Sequence, residues 1–253
     1  MPARIDLNAD LGEGFGAWTS GDDQALLAGI SSANVACGFH AGDPVIMQRV
    51  CRQAVERGVA IGAQVSYRDL VGFGRRRIEM DPADLQADVL YQLGALDGFA
   101  RVAGDRVRYL KPHGALYHAA ATDPGQAGAI VAALNCWDRP LPVLTLPGSV
   151  LAELAEQAGL PVVVEAFADR GYRPDGSLMP RSSAGAVLTD PDQVADRALR
   201  LLTEGCLPAE DGSLLRLAPD SLCVHGDTPG AGAILQAIRG RLQAAGIEIA
   251  RFA

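Results

Sequence analysis

The chain opens on an alternation: apolar Ile5 and Leu7 interleave with polar Asp6 and Asn8. A period of two predicts a short strand with one face toward a core. The strand runs out into a loop with two carboxylates, Asp10 and Glu13, and the glycines Gly12, Gly14 and Gly16. The same sequence of short strand, polar end and helix then recurs. A short helix over Asp22 to Gly29 precedes a small-residue strand, Ser32 to Gly38, ending in Phe39, His40, Ala41, Gly42 and Asp43. Asp43-Pro44 reads as an N-cap with proline at the first helical position. The helix it opens reaches about Arg57, with Val45, Met47, Val50, Cys51, Ala54 and Val55 near one stripe. Val59 to Ala63 is the next strand, followed by a polar loop from Gln64 to Ile78.

Asp81-Pro82 starts a helix to about Ala103, and Tyr109-Leu110 a strand ending in Lys111, Pro112, His113 and Gly114. Asp123-Pro124 opens another helix. Pro142 to Leu146 is a strand with a helix after it to Ala158, and Val162 to Ala166 is a strand ending in Phe167 to Tyr172. After a loop to about Ala186, Asp190-Pro191 starts a helix through Leu202. Residues 207–220 read as irregular, with room for a small hairpin, and Leu222 to Val224 is a strand ending in His225 to Gly230. A last helix to Ala245 and a short strand, Ile247 to Phe252, complete the series. Alternating strands and helices imply a parallel sheet with helical crossovers. Seven or eight units favour closure into a TIM-like (β/α) barrel. No linker or composition shift divides the 253 residues, so residues 1–253 are expected to form a single barrel domain.

Composition narrows the function. Hydrophobic residues make up 49% and charged ones 21%, which describes a chain with a sizeable core. A net charge of −8 argues against nucleic acid or an anionic membrane as partner. The local exception, Arg75-Arg76-Arg77, is either a solvated turn or an anion clamp. No apolar run is long enough to span a membrane, and no apolar leader precedes Asp6. Five scattered cysteines without CxxC pairs suit reduced thiols, so a cytoplasmic protein is expected. GEGFG at residues 12–16 lacks the dinucleotide-binding spacing, and no GxxxxGK[ST] follows any strand.

The chemistry gathers at strand ends. His40, His113, His118 and His225 all follow a predicted strand, as do Asp10, Glu13, Asp43, Gln64, Asp69, Lys111, Asp169, Arg170 and Asp227, with Glu165 close to its strand end. In a parallel barrel those loops open on one face, where active sites sit. Plainer roles compete at several positions. His118, deeper in its loop, is structural, and Asp43 is a helix cap. For Glu165 and Asp169 the plainer alternative is pairing with Arg170 and Arg173. Asp10 and His40 on neighbouring strand ends invite a metal. The third ligand would then fall at Gln64, whose amide is weak for zinc, so no tightly bound zinc is expected. A weakly held Mg²⁺ accompanying a nucleotide stays open.

The stretches IDLNADLGEGFG, SANVACGFHAGDP, VAIGAQVSYRDLVGFGRR, YQLGAL, YLKPHGALY, EAFADRGY and VHGDTPGA together resemble the LamB/YcsF family. The resemblance covers most of the chain in order. It implies a seven-stranded barrel of the glycoside hydrolase/deacetylase type. It also implies service as the A component of an ATP-hydrolysing 5-oxoprolinase, beside the B and C components (PxpB and PxpC). The reaction implied is the opening of 5-oxo-L-proline to L-glutamate at the expense of ATP. One departure stands out: the family reads Gly-Ala-His-Pro-Ser-Tyr-Pro where this chain has Gly62 to Arg68, so Gln64 replaces a histidine. A lactam opened through phosphorylation of its oxygen needs a base for water, a proton donor for nitrogen, and cations for phosphate and carboxylate. Asp10 is expected as base, His40 or His113 as proton carrier and Lys111 as phosphate partner. Arg170 or the Arg75–Arg77 cluster would hold the carboxylate. Glu13, Gln64, Glu165, Asp169, His225 and Asp227 would complete the substrate site. The alternatives are a metal-dependent deacetylase or amidohydrolase, and a non-catalytic component that presents substrate.

Overall fold

A computed structural model describes residues 4–228 and 230–253, leaving Pro229 of the last strand-end stretch outside the described residues. Six parallel strands follow one another around a barrel: β1 (Arg4–Leu11), β2 (Ser32–Ala36), β3 (Ala60–Val65), β4 (Tyr109–Pro112), β5 (Val143–Thr145) and β6 (Val162–Phe167). A hairpin, β7 (Cys206–Pro208) and β8 (Leu214–Arg216), then precedes β9 (Ser221–Val224). β9 pairs in parallel with both β6 and β1 and closes the barrel at seven strands. A two-residue strand, β10 (Glu248–Ile249), pairs with the start of β1.

The helices are α1 (Asp23–Leu27), α2 (Pro44–Glu56), α3 (Pro82–Val102), α4 (Gly114–Thr122), α5 (Pro124–Asn135), α6 (Val150–Gln157), α7 (Pro191–Glu204) and α8 (Ala231–Ala244). Each Asp-Pro pair starts its helix as the sequence predicts. Asp43, Asp81, Asp123 and Asp190 accept from backbone N–H groups of the first turn, with proline fixed just inside. Asp43 is thus a cap, and it also accepts from the Gly16 N–H at 2.7 Å.

The period-two pattern has a definite meaning in β1. Ile5, Leu7, Ala9 and Leu11 join the main core with Ile46, Val50, Ile234 and Leu235 of the surrounding helices. Asp6, Asn8 and Asp10 alternate with them and turn into the barrel. A separate small apolar cluster of Ala60, Tyr109, Leu144 and Val163 plugs the barrel floor, with Phe252 packed against it. The Phe252 ring meets Tyr109 edge-on at 4.9 Å. The expected last strand therefore shrinks to Glu248–Ile249, because the residues after it leave the sheet to seal the floor. Gly62 makes room for the Tyr109 ring, since a Cβ there would lie 2.1 Å from the ring.

Two further differences from the sequence reading matter. Lys111 lies within β4 rather than beyond it, so its side chain is fixed by the barrel wall. The segment after Gly114, expected as loop, is α4. His118 rides on that helix as an exposed residue at the edge of the cavity described below. Its neighbours Leu116, Tyr117, Ala119 and Ala120 are the buried ones, which makes the short apolar run a helix face.

Candidate active site

The lower half of the barrel interior is a column of hydrogen bonds. Ser31 and Ser32 each donate to Asp6 Oδ1 at 2.6 Å, and Ser221 donates to Asp6 Oδ2. Asn8 Nδ2 donates to Ser221 Oγ at 2.7 Å, and Asn34 Nδ2 to Asn8 Oδ1 at 2.7 Å and Asp10 Oδ1 at 2.9 Å. The Tyr109 hydroxyl donates to Asn34 Oδ1 at 2.7 Å. Strand register sets these contacts: Asp10 lies opposite Asn34, and Asn8 opposite both Ser32 and Cys223. Burial pushes the Asp6 carboxyl up to about 6 against the lowering pull of the three serines.

Above this column stands Lys111, opposite Gln64 in register. Its ammonium lies 2.6 Å from Glu165 Oε1, 3.2 Å from Asn8 Oδ1, 3.3 Å from Cys223 Sγ and 3.5 Å from Asp10 Oδ1. Burial opposes the charge on Lys111, yet Asp10, Cys223 and Glu165 hold its pKa well above the ordinary lysine value. The same attraction works on Asp10. Burial would raise it, but Lys111, then His225 and His113, keep it well below the carboxylate range. The hydroxyl of Tyr117, from α4, donates to Glu165 Oε2 at 3.0 Å. The expected pairing of Glu165 with Arg170 or Arg173 is replaced by this Lys111 ion pair, because β6 turns Glu165 into the barrel.

A cavity of about 400 Å³ opens over Lys111 at the C-terminal ends of the strands. That is within the size of small-molecule sites, roughly 300–1,000 Å³. Of the twelve residues predicted for the site, nine line it: Asp10, Glu13, Gln64, Arg75, Lys111, His113, Arg170, His225 and Asp227. The other three stand directly behind these. His40 stacks on His113, Glu165 holds Lys111, and Asp169 holds His225.

On one wall, Asp169 accepts from His225 Nδ1 at 3.0 Å, from the His225 backbone N–H at 3.2 Å and from Thr228 Oγ1 at 2.8 Å. Burial would raise Asp169, but the His225 imidazole and these hydrogen bonds hold it below the ordinary value. An ionised carboxylate only accepts, so Nδ1 of His225 is the nitrogen that carries a proton toward Asp169, and in the neutral ring the lone pair then lies on Nε2. The pairing of Asp169 with Arg170 or Arg173 is accordingly corrected: its partner is His225. The Phe167 ring stacks on His225 at 5.1 Å, and Lys111 Nζ lies 5.3 Å from the centre of the same ring.

At the mouth, Arg75 Nη2 and Arg181 Nη2 approach the two oxygens of Asp227 at 2.6 Å and 3.3 Å. Two guanidinium groups share one carboxylate, which leaves the mouth net positive. The arginine run divides. Arg76 pairs with Asp69 and Arg77 with Glu79 and Asp123, so both brace the loop, and only Arg75 reaches the cavity. Arg170 donates to the carbonyls of Ala186 and Met179 and ties down the loop after β6.

On the opposite wall, Glu13, His40, Gln64 and His113 meet. The loop after β1 is tied to that after β2 by Gly42 N–H to Gly14 O at 2.7 Å, which brings Glu13 beside His40. The His40 and His113 rings stack 3.8 Å apart at 12°. Glu13 Oε1 lies 3.7 Å from His40 Nε2 and 3.4 Å from His113 Nδ1. Gln64 Nε2 is 3.0 Å from His113 Nδ1. His113 Nε2 lies 3.0 Å from the carbonyl of Phe73, a non-glycine residue at φ 54°. That conformation is strained and is held at the site by its neighbours. Gly74, at φ 65°, follows; a Cβ there would fall 2.9 Å from both His113 Cδ2 and His40 Cβ. Burial depresses His113 to about 4 and His40 well below its ordinary value, while burial and Asp10 raise Glu13 well above its own.

Several site residues escaped the sequence reading. Asn8, Asn34 and Cys223 lie within strands, and Tyr117 lies on the unforeseen α4. For Asn8 the signal was present in the β1 alternation. Arg181 and Phe73 sit in long loops where no spacing rule points inward.

No helix among the described residues is long and apolar enough to cross a membrane. The LamB/YcsF family model matches residues 5–253. The A component of 5-oxoprolinase from Streptomyces avermitilis is 59% identical over 249 residues, covering 98% of this chain and 100% of its own. The crystal structure of a lactam utilization protein from Thermus thermophilus superposes with a TM-score of 0.93 at 45% identity, over 98% of this chain and 100% of that one. A family 4 carbohydrate esterase from Streptomyces lividans, at 12% identity and a TM-score of 0.51, covers 99% of this chain and 93% of its own and shares the fold alone. With the family model spanning every barrel strand, the chain belongs to the LamB/YcsF family.

Proposed function

We propose that the cavity binds 5-oxo-L-proline and that the chain serves as the A component of a 5-oxoprolinase, opening the lactam to L-glutamate. The observation that carries this reading is the pairing, in one cavity, of an Asp169-oriented His225 with the buried Lys111 beneath a cationic mouth. The names of the Streptomyces avermitilis and Thermus relatives point to the same substrate class. A small anionic lactam matches the site in charge. Its carboxylate meets Arg75 and Arg181, and its amide lies inward, toward Lys111.

His225 is the base in this reading. Asp169 holds the imidazole by Nδ1 and leaves Nε2 to take a proton from water as it attacks the lactam carbon. Lys111, kept charged by Asp10 and Glu165, stabilises the oxygen on which negative charge develops. Asp10, expected from the sequence as the base, is too firmly ionised to pull a proton well. Its part is to hold Lys111. The proton taken by His225 then passes to the ring nitrogen as the carbon–nitrogen bond breaks, giving the amine of glutamate. ATP, with Mg²⁺, serves first to phosphorylate the lactam oxygen with release of ADP, which makes the carbon electrophilic; water addition and loss of the ring nitrogen then leave γ-glutamyl phosphate, and a second water releases phosphate and L-glutamate. The B and C components (PxpB and PxpC) are the partners proposed for that step.

The test is glutamate and ADP formation from 5-oxoproline, first with this chain alone and then with the B and C components added. His225→Asn should lower glutamate formation by roughly 10²–10⁴ with the fold retained. No 5-oxoproline-dependent glutamate in the complete mixture would overturn the reading, and ring opening without ATP would remove the nucleotide from it.

A further inference from the structure

We propose that Glu13, His40 and His113 form a binding site for one divalent transition-metal ion of the zinc type. Along successive strand ends the third ligand would fall at Gln64, but the acidic donor comes instead from the loop after β1. One donor atom from each of Glu13, His40 and His113 lies within 4.8 Å of the others. Two ligands bound at about 2.0–2.1 Å from a tetrahedral ion stand about 3.4 Å apart. The observed 3.4 Å from His113 Nδ1 and 3.7 Å from His40 Nε2 to Glu13 Oε1 match that spacing.

Three independent features support a ligand here. Both ring nitrogens of His40 and Glu13 Oε1 are buried without hydrogen-bond partners, a state that carries a cost of about 1–3 kcal/mol per group in protein interiors. Second, His113 Nε2 donates to Phe73 O, which fixes the tautomer and leaves the Nδ1 lone pair toward Glu13. A histidine that binds a metal ordinarily gives its other N–H to such a carbonyl. Third, two imidazoles and one carboxylate form the donor set preferred by zinc and its first-row neighbours.

The stacked rings direct their lone pairs side by side, so binding needs the His40 ring to turn out of the stack. No hydrogen bond holds that ring back. Gln64 Nε2, now on His113 Nδ1, gives way to the ion. Glu13 and His113 line the cavity, so an ion there supplies Lewis acidity to a carbonyl within it.

The test uses the whole chain stripped with a chelator, and Zn²⁺ and Co²⁺ as probes, without substrate. Titration against a competing chromophoric chelator should give one ion per chain, and Co²⁺ should give a visible absorption band. Glu13→Gln and His40→Gln should each weaken binding at least roughly tenfold. His118→Gln, on a histidine that lines the same cavity but lies outside the three-donor cluster, should leave it unchanged. Circular dichroism checks that the variants fold. Imidazole ¹⁵N resonances of the unaltered protein supply a reading that needs no variant: two histidines should shift with Zn²⁺. Equal binding by the Glu13→Gln variant, loss of binding in His118→Gln, or no histidine shift would each overturn the proposal. Because no substrate is present, either result leaves the lactam reading standing, and a failure of lactam turnover leaves the ion site standing.

Discussion

The floor and the mouth of this barrel handle buried polarity in opposite ways. On the floor, Asp6, Asn8, Asn34, Tyr109 and Ser221 satisfy one another in a closed column. At the mouth, Glu13, His40, Gln64 and Ser66 each keep at least one buried polar atom without a partner. A satisfied network fixes shape; an unsatisfied one is poised for something else to complete it. The contrast separates residues that hold the barrel from residues that meet a ligand, although both kinds are polar and both lie inside.

Substitutions sharpen that contrast. Glu165→Ala strands Lys111 beside a single carboxylate and leaves the Tyr117 hydroxyl unpaired. It should cost about 3–5 kcal/mol in denaturant unfolding. Glu13→Gln, at the mouth, should stay within about 1 kcal/mol of the unaltered protein, because Glu13 is already driven toward its neutral form. Equal losses at the two sites would erase the distinction.

A smaller effect tests the floor alone. Asp6 is raised from its ordinary 3.8 to about 6 in the folded chain, so the native state binds its proton more tightly than the unfolded one. The stability from that proton is complete below about pH 4 and is lost as pH rises through about 6. The loss is of the order of 3 kcal/mol. Unfolding of Asp6→Asn, compared with the unaltered protein from about pH 4 to 7, should lack this fall. A parallel pair of profiles would show that the serines hold Asp6 ionised throughout. A further small effect lies outside the barrel: Asp190→Ala removes the cap of α7 and should cost about 1 kcal/mol without touching turnover.

Much of the frame was legible in the chain because local rules and tertiary packing agree there. The four Asp-Pro pairs set helix starts, and the alternation in β1 shows which side chains point inward. One-sidedness of the polar strand ends gave the cavity, and nine of the twelve residues predicted for the site line it. Partnerships were harder to read. Glu165 and Asp169 have arginines as near sequence neighbours, yet their partners, Lys111 and His225, lie 54 and 56 residues away. Register between strands decides such pairs, and no single segment encodes it. α4 was hidden because Pro112 and Gly114 read as loop, whereas the run from Ala115 to Ala120 buries one face. Arg181 came from a loop whose path depends on Arg170 holding the carbonyls of Met179 and Ala186.

The plug formed by Phe252 carries a consequence for how the protein is made. Its ring covers Tyr109, which belongs to the fourth strand, while Phe252 follows every other element in the chain. On a ribosome adding about 5–20 residues each second, the roughly 140 intervening residues take about 7–30 s. Throughout that interval the nascent barrel has an open floor, with the Tyr109 ring and its neighbours exposed to water or to a chaperone. The residues that shut it are made after all seven barrel strands.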